Sequence, residues 1–106
     1  MTAAELYSIL TDSQSGLSIP VAYGRFKEPP GLPYVVYLGD GQDQFSADNT
    51  YIYKANSYRL EYYFKDKDES IEEAIEKLLL DNGLQYRKSE DIYISSEDVF
   101  EIYYEF

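Results

Sequence analysis

Two well-separated segments alternate between large apolar and polar side chains, and this pattern constrains the fold more than any other feature of the sequence. Residues 58–64 place Tyr, Leu, Tyr and Phe at even positions and Arg, Glu and Tyr at odd positions. Residues 100–106 place Phe, Ile, Tyr and Phe at even positions and Glu, Tyr and Glu at odd positions. A period of two is typical of a strand with one buried face. The sequence therefore predicts two half-buried strands, the second with Tyr103 between two glutamates on its hydrated face.

Two other segments have the spacing of amphipathic helices. The first begins at a capping box formed by Thr2 and Glu5, and its apolar stripe contains Leu6, Ile9 and Leu10. The second begins at a similar box formed by Ser70 and Glu73, and its stripe contains Ile71, Ala74, Ile75, Leu78 and Leu79. The dipeptide 82–83, Asn-Gly, supplies a stop signal for the second helix.

The order of elements indicates the fold class. Further strands are expected at 17–23, where Pro20 favours an edge or a strand start, and at 34–38, 51–53, 84–86 and 92–94. Strands follow one another instead of alternating with helices, which favours an α+β fold with a mostly antiparallel sheet and two helices packed on one face. At this length we expect a single domain over residues 1–106.

Two segments are expected to be irregular. Residues 24–33 contain three prolines and two glycines, and the segment 39–50 opens with Gly-Asp-Gly and continues with polar, turn-prone residues. Both carry apolar side chains, which either fold back onto the core of the same chain or pack against a neighbouring protein. The candidate interface residues on these segments and on the last strand are Arg25, Phe26, Pro29, Pro30, Leu32, Asp40, Phe45, Asp48 and Tyr103.

The composition argues against catalysis. The chain has no histidine and no cysteine, which removes the usual general base near pH 7 and the most nucleophilic side chain. Asp40, Asp43 and Asp48 share one segment, but their spacing does not match a calcium-binding loop, and turn chemistry accounts for the same residues. Adjacent acids such as Glu72 and Glu73 are typical of a solvated face. We expect no catalytic residue, no cofactor and no metal.

The charge is negative and unevenly distributed. Residues 66–106 hold thirteen acidic and four basic side chains, and so −9 of the net −11. Such a field repels nucleic acid, and the basic residues are scattered, with Arg25 and Lys27 forming a short basic pair outside the charged segments. The acidity fits solubility, a surface for a basic partner, a channel to which DNA does not stick, or a DNA mimic. No apolar run approaches 18 residues, and the chain lacks a signal-like start, so neither a membrane partner nor export is expected.

Several motifs together resemble a known family. They are Val21–Lys27, Pro33–Gly41, Phe45 with Ala47–Asn49, Tyr58–Phe64, the acidic helix from Ser70, and Phe100–Glu105. The sequence is similar to the tail terminator (tail completion, head-tail joining) proteins encoded in the morphogenesis region of long-tailed phages and prophages of Gram-positive bacteria. The resemblance covers nearly the whole chain, and its motifs are structural in character.

The resemblance implies a function in virion assembly. Members of this family form a ring, usually hexameric, on the last ring of the tail tube, where they stop tube growth and present a surface to the head connector. The expected partners are copies of the same chain, the tail-tube protein and the connector, with DNA passing through the lumen. The expected location is the host bacterial cytoplasm and then the virion. A head-tail connector or stopper, and an acidic DNA-mimic inhibitor, remain alternatives.

Overall fold

A mostly antiparallel sheet covered by two helices forms the body of the protein. The structure is a computed structural model that describes residues 1–47 and 51–106. Within those ranges six strands pair in the order β1-β2-β3-β6-β4, with β5 also pairing with β6. Only β1 runs parallel to its neighbour β2. The elements are α1 Ala3–Thr11, β1 Val21–Tyr23, β2 Tyr34–Ala47, β3 Tyr51–Phe64, α2 Glu69–Asp81, β4 Arg87–Lys88, β5 Ile92–Ile94 and β6 Val99–Glu105. The predicted α+β fold is confirmed.

The two alternating segments pair with each other at the centre of the sheet. Leu60 lies opposite Tyr104 and Tyr62 opposite Ile102, so the even positions of both strands share one face. These four side chains are fully buried. The same core contains Leu6 and Leu10 of α1, Ile75, Leu78 and Leu79 of α2, and Val35 and Tyr37 of β2. Both helices therefore cover the same face of the sheet, as the sequence predicted.

Helix α1 begins where the sequence predicted and α2 begins earlier. The Thr2 hydroxyl accepts a hydrogen bond from the Glu5 amide at 3.1 Å, which confirms the first cap. The cap of α2 is Asp68 and not Ser70, since the Asp68 carboxylate accepts from the Ser70 amide at 3.0 Å. A charged cap two residues upstream satisfies free amides of the first turn and adds a favourable interaction with the helix dipole.

The position of this cap can be tested by substitution. Asp68→Ala is expected to lower the free energy of unfolding by about 1 kcal/mol, because the first-turn amides lose their acceptor. Ser70→Ala keeps the Asp68 carboxylate and its bond to the residue-70 amide, so its effect should be smaller. Urea unfolding of the two variants side by side measures the difference. A larger loss for Ser70→Ala than for Asp68→Ala would contradict the assignment.

The edge strand β1 is shorter than predicted. It comprises only Val21–Tyr23 and begins directly after Pro20, whose carbonyl accepts from the Val35 amide at 2.9 Å. The ring of Pro20 removes one backbone donor, which explains why pairing starts at the next residue. The following residues 24–33 have no helix or strand, as expected. The strand expected at 84–86 is wrong by a few residues, because β4 lies at Arg87–Lys88.

The segment predicted as a loop at 39–50 is instead strand over its described residues 39–47, and 48–50 lie outside the described residues. Strand β2 continues past Gly39 through a register shift and pairs with β3 from Gln42↔Asn56 to Ala47↔Tyr51. Gly41 has φ +97°, which suits a glycine at a bulge. The Gln42 side-chain amide donates to the Asn56 side chain at 2.7 Å across the ladder, and β3 runs without a break from Tyr51 to Phe64, well beyond the strand predicted at 51–53. We call the described residues 40–47 and 51–57 the arm.

The arm makes the molecule elongated. Its strands extend the β2–β3 pair beyond the part of the sheet that β6 and the helices cover. The radius of gyration is 15.2 Å, against about 13 Å for a compact domain of this length. The principal extents are 50 × 33 × 26 Å. A projecting hairpin on a small body offers a surface well separated from the core.

Candidate protein interface

The sheet face opposite the helices is the main surface of the body not packed against a helix. Register places on it Tyr34 and Val36 of β2, Arg59, Glu61 and Tyr63 of β3, and Glu101 and Tyr103 of β6. We call these seven residues the open face. Its tyrosines and glutamates are half-buried, and Val36 is buried. Tyrosine combines a large ring with a polar edge, a composition common in protein interfaces.

Residues 24–33 lie against the β2 side of the open face. The Phe26 ring meets Tyr34 edge-on at a centroid distance of 5.2 Å, and Tyr34 in turn lies 5.3 Å from Tyr63. Beside these rings is a groove of about 190 Å³, whose lining includes Arg25, Phe26, Pro29, Tyr34, Val36, Tyr63 and Glu97. Three of the predicted interface residues, Arg25, Phe26 and Pro29, are thus brought together at one groove.

Tyr103 lies on the β6 side of the same face and is held by a chain of polar contacts. The Tyr63 hydroxyl donates to Glu61 at 3.0 Å, and Arg59 forms a salt bridge with Glu61, with Nε 3.1 Å from Oε2. The Arg59 guanidinium lies over the Tyr103 ring at 5.8 Å. Burial and the nearby Glu61 raise the pKa of Glu101 above its ordinary value, while Arg59 opposes the shift. These contacts fix the rings of the open face in position.

The remaining predicted residues do not join this cluster. Leu32 lines a separate hollow beside Tyr62 and Ile71, and Pro30 is half-buried in the 24–33 segment. Asp40 is exposed in the register shift of the arm, and Phe45 is 57% exposed further along it. Asp48 lies outside the described residues. The predicted set therefore divides between the open face, the arm and the Leu32 hollow.

The acidic side chains and the two helices bear on metal binding and membrane insertion. In the described ranges 1–47 and 51–106, no group of three or more acidic side chains is placed to hold a metal ion. Asp43 pairs with Ala55 in the ladder, whereas Asp40 lies in the register shift between Gly39 and Gln42. Across those same ranges, neither helix has the length and apolar character required of a transmembrane span.

The sequence analysis missed a buried ion cluster on α2. Glu72 is only 2% exposed. Lys67 lies 2.8 Å and Lys88 2.9 Å from its carboxylate. Lys88 also forms a salt bridge with Glu76 at 2.8 Å. Burial alone would lower the pKa of Lys88, but the hydrogen bonds to Glu76 and Glu72 outweigh it and raise the pKa. The prediction that residues 72 and 73 form a solvated pair is wrong for Glu72, and the two lysines give it a structural role.

The spacing of the helix could have revealed this position. Glu72, Ile75 and Leu79 are separated by three and four residues and so lie on one face of α2. Ala74, which the predicted stripe included, is exposed. The partners of Glu72 are not detectable from local spacing, because Lys88 approaches from β4, sixteen residues later in the chain.

Tyr62 is a second buried polar group that sequence alone did not single out. Its side chain is fully buried, and its hydroxyl has no hydrogen-bond partner among the residues described. Burial, reinforced by Glu72 and Asp68, raises the pKa of Tyr62 to about 12. A buried hydroxyl without a partner costs about 1–3 kcal/mol.

Replacing this tyrosine should affect alkaline stability more than neutral stability. The phenol of Tyr62 has a higher pKa in the folded chain than in the unfolded chain. Its contribution to stability is therefore complete at any pH below the pKa of the unfolded chain, and it is lost as the pH rises through the pKa of the folded chain. Tyr62→Phe should therefore leave stability at pH 7 unchanged or slightly higher and reduce the loss between about pH 10 and pH 12. Tyr104→Phe is the control, since it breaks the bond to Glu76 at 2.8 Å and should destabilise at pH 7. Urea midpoints across pH measure both.

Comparison with known proteins gives no assignment. No family model matches this sequence, and no curated protein matches it.

Proposed function

We propose that this chain is a phage virion morphogenesis protein, a ring-forming subunit that caps the tail tube and joins it to the head connector. The observation that carries the proposal is the pairing of two distinct contact surfaces, the open face with its groove and the projecting arm, on one small body. Two different surfaces on one subunit generate a heterologous interface, which closes into a ring when the rotation between copies permits. The sequence resemblance to tail terminators supports the same conclusion.

The acidity of the chain supports a DNA channel in such a ring. Glu69 and Glu73 are exposed on α2, and within the described part of the chain neither forms an ion pair. If the open face and the arm are used between copies, the acidic outer side of α2 is free to line the lumen. The exposed residues of α2 include Glu69, Glu73 and Asp81 against one lysine, Lys77, and a predominantly negative surface of this kind repels DNA.

The ion pairs favour this function over mimicry of DNA. A mimic needs rows of free carboxylates spaced like phosphates. In the part of the chain that the structure describes, six carboxylates are in salt bridges with lysine or arginine, and these are Glu61, Glu72, Glu76, Asp81, Asp91 and Asp98. A connector or stopper, like a terminator, needs a ring-forming subunit with two contact surfaces. Only the binding partner distinguishes these functions.

Co-sedimentation separates these functions. The purified protein is mixed with assembled tubes of the tail-tube protein from the same genome and, in parallel, with DNA-filled heads carrying the connector. Saturable pelleting with tubes, at a ratio of a few copies per tube, supports the terminator. Pelleting with heads alone assigns the chain to the connector side of the neck. Pelleting with neither would contradict an assembly role.

A further inference from the structure

The arm carries Asp40 and Asp43, the groove is lined by Arg25, and both lie on the same side of the sheet. The register positions Asp43↔Ala55 and Phe45↔Tyr53 fall on odd residues of β3, the same parity as Arg59, Glu61 and Tyr63. The pleat therefore directs Asp43 and Phe45 to the side that continues the open face. Between 40 and 47 the charged residues are Asp40 and Asp43, whereas the 24–33 segment carries Arg25 and Lys27 against Glu28.

These four charges form no ion pair with the described part of their own chain. Among residues 1–47 and 51–106, no ion pair involves Arg25, Lys27, Asp40 or Asp43. All four side chains are exposed. In a chain of net charge −11, the 24–33 segment is a local positive region and so a natural target for an acidic ribbon of another copy.

The arm cannot reach the groove of its own chain. Phe45 lies eleven positions beyond Tyr34 on a continuous strand, which corresponds to roughly 35 Å of extended chain. Tyr34 lines the groove, and β2 leads away from it for the whole of that distance. Contact between arm and groove must therefore be made between two copies.

The groove also has a suitable size. Its volume is about 190 Å³, and its lining combines the rings of Phe26, Tyr34 and Tyr63 with the two opposite charges of Arg25 and Glu97. An apolar cavity of about 150 Å³ accommodates a benzene ring. One phenyl side chain fits this space, and Phe45 presents such a ring, 57% exposed, two residues beyond Asp43.

We propose that the arm of one copy docks in the groove of the next, with Asp43 against Arg25 and Phe45 beside Phe26 and Pro29. This contact rests on the proposed function, since it supplies the heterologous interface that a ring requires. It uses different surfaces on the two partners, so every copy both donates an arm and accepts one.

Charge reversal tests the contact in purified protein without tubes. Asp43→Lys and Arg25→Glu each place like charges at the interface, and self-association measured by sedimentation velocity up to millimolar concentration should weaken at least ~10-fold, since like-charge contacts cost several kcal/mol. A mixture of the two variants should associate nearly as well as the unchanged protein, because each arm then meets an oppositely charged groove. Lys54→Glu, on the other side of the arm, is the control and should change little.

Three results would overturn the contact: no self-association of the unchanged protein at millimolar concentration, a mixture no better than either variant, or an equal loss in Lys54→Glu. A disulfide gives an independent measurement, because the chain has no cysteine. Phe45→Cys mixed with Pro29→Cys should form a cross-linked dimer faster than Phe45→Cys mixed with Ser8→Cys on α1, and equal rates would also overturn it.

The association and co-sedimentation experiments distinguish an incorrect arm–groove contact from an incorrect proposed function. Rescue in the mixture without binding to tubes or heads would keep the contact between copies and reject the assembly role. Binding to tubes without rescue would keep the assembly role and reject the arm and groove as the surfaces used.

Discussion

Removing both lysines around Glu72 should destabilise the protein by about 3–5 kcal/mol, the range measured when a buried ion pair loses one side. In the variant Lys67→Met with Lys88→Met, the carboxylate of Glu72 stays buried at 2% exposure without a counter-charge. Domains of this kind are stable by only about 5–15 kcal/mol, so the loss is a large fraction. Urea unfolding at pH 7 measures it.

The matched controls separate charge from packing. Either lysine substitution alone leaves one cation on Glu72, at 2.8 or 2.9 Å, and should cost much less than the pair. Adding Glu72→Leu to the double variant removes the isolated charge and should recover most of the stability, because apolar replacement of a buried ion cluster is often neutral. A triple variant as unstable as the double would show that the lysine stems, and not their charges, matter.

Leu79→Ala should cost about 2–5 kcal/mol, the usual range for a fully buried leucine. Leu79 is 0% exposed in the core that α2 shares with the sheet, whereas the next residue, Leu80, is 55% exposed. Leu80→Ala makes the same chemical change on the same helix and should alter stability by less than about 0.5 kcal/mol. Thermal or urea unfolding of this pair tests which face of α2 is buried. Equal losses would contradict the packing.

Local alternation was sufficient to predict the centre of the sheet. In 58–64 and 100–106 every leucine, isoleucine and phenylalanine lies at an even position, and one buried face follows directly from the geometry of a strand. Pro20 correctly marked the edge strand, and the prolines of 24–33 correctly indicated an irregular segment. These features depend on a few neighbouring residues, which is why sequence alone determined them.

The arm could not be predicted in this way. Gly39 and Gly41 are usually turn signals, and the polar residues that follow have weak strand propensity. What stabilises them as strands is pairing with 51–56, including the bond from Gln42 to Asn56, and this partner lies across the hairpin. The groove could not be predicted from local sequence either, because Tyr63 and Glu97, which are distant in the chain, line it together with Arg25 and Phe26. The candidate interface residues were chosen because they are apolar or charged residues in segments expected to be irregular. This criterion identified Arg25, Phe26 and Pro29, but it could not predict that they line one groove.

The length distribution of tail tubes is the most direct test of the proposed function. Tail-tube protein from the same genome is allowed to polymerise with increasing amounts of this protein, and tubes are measured in negative-stain images. A terminator predicts shorter tubes at higher concentration, each carrying a ring at one end only. Tubes of unchanged length with bare ends, under conditions in which the protein is folded, would contradict the assignment.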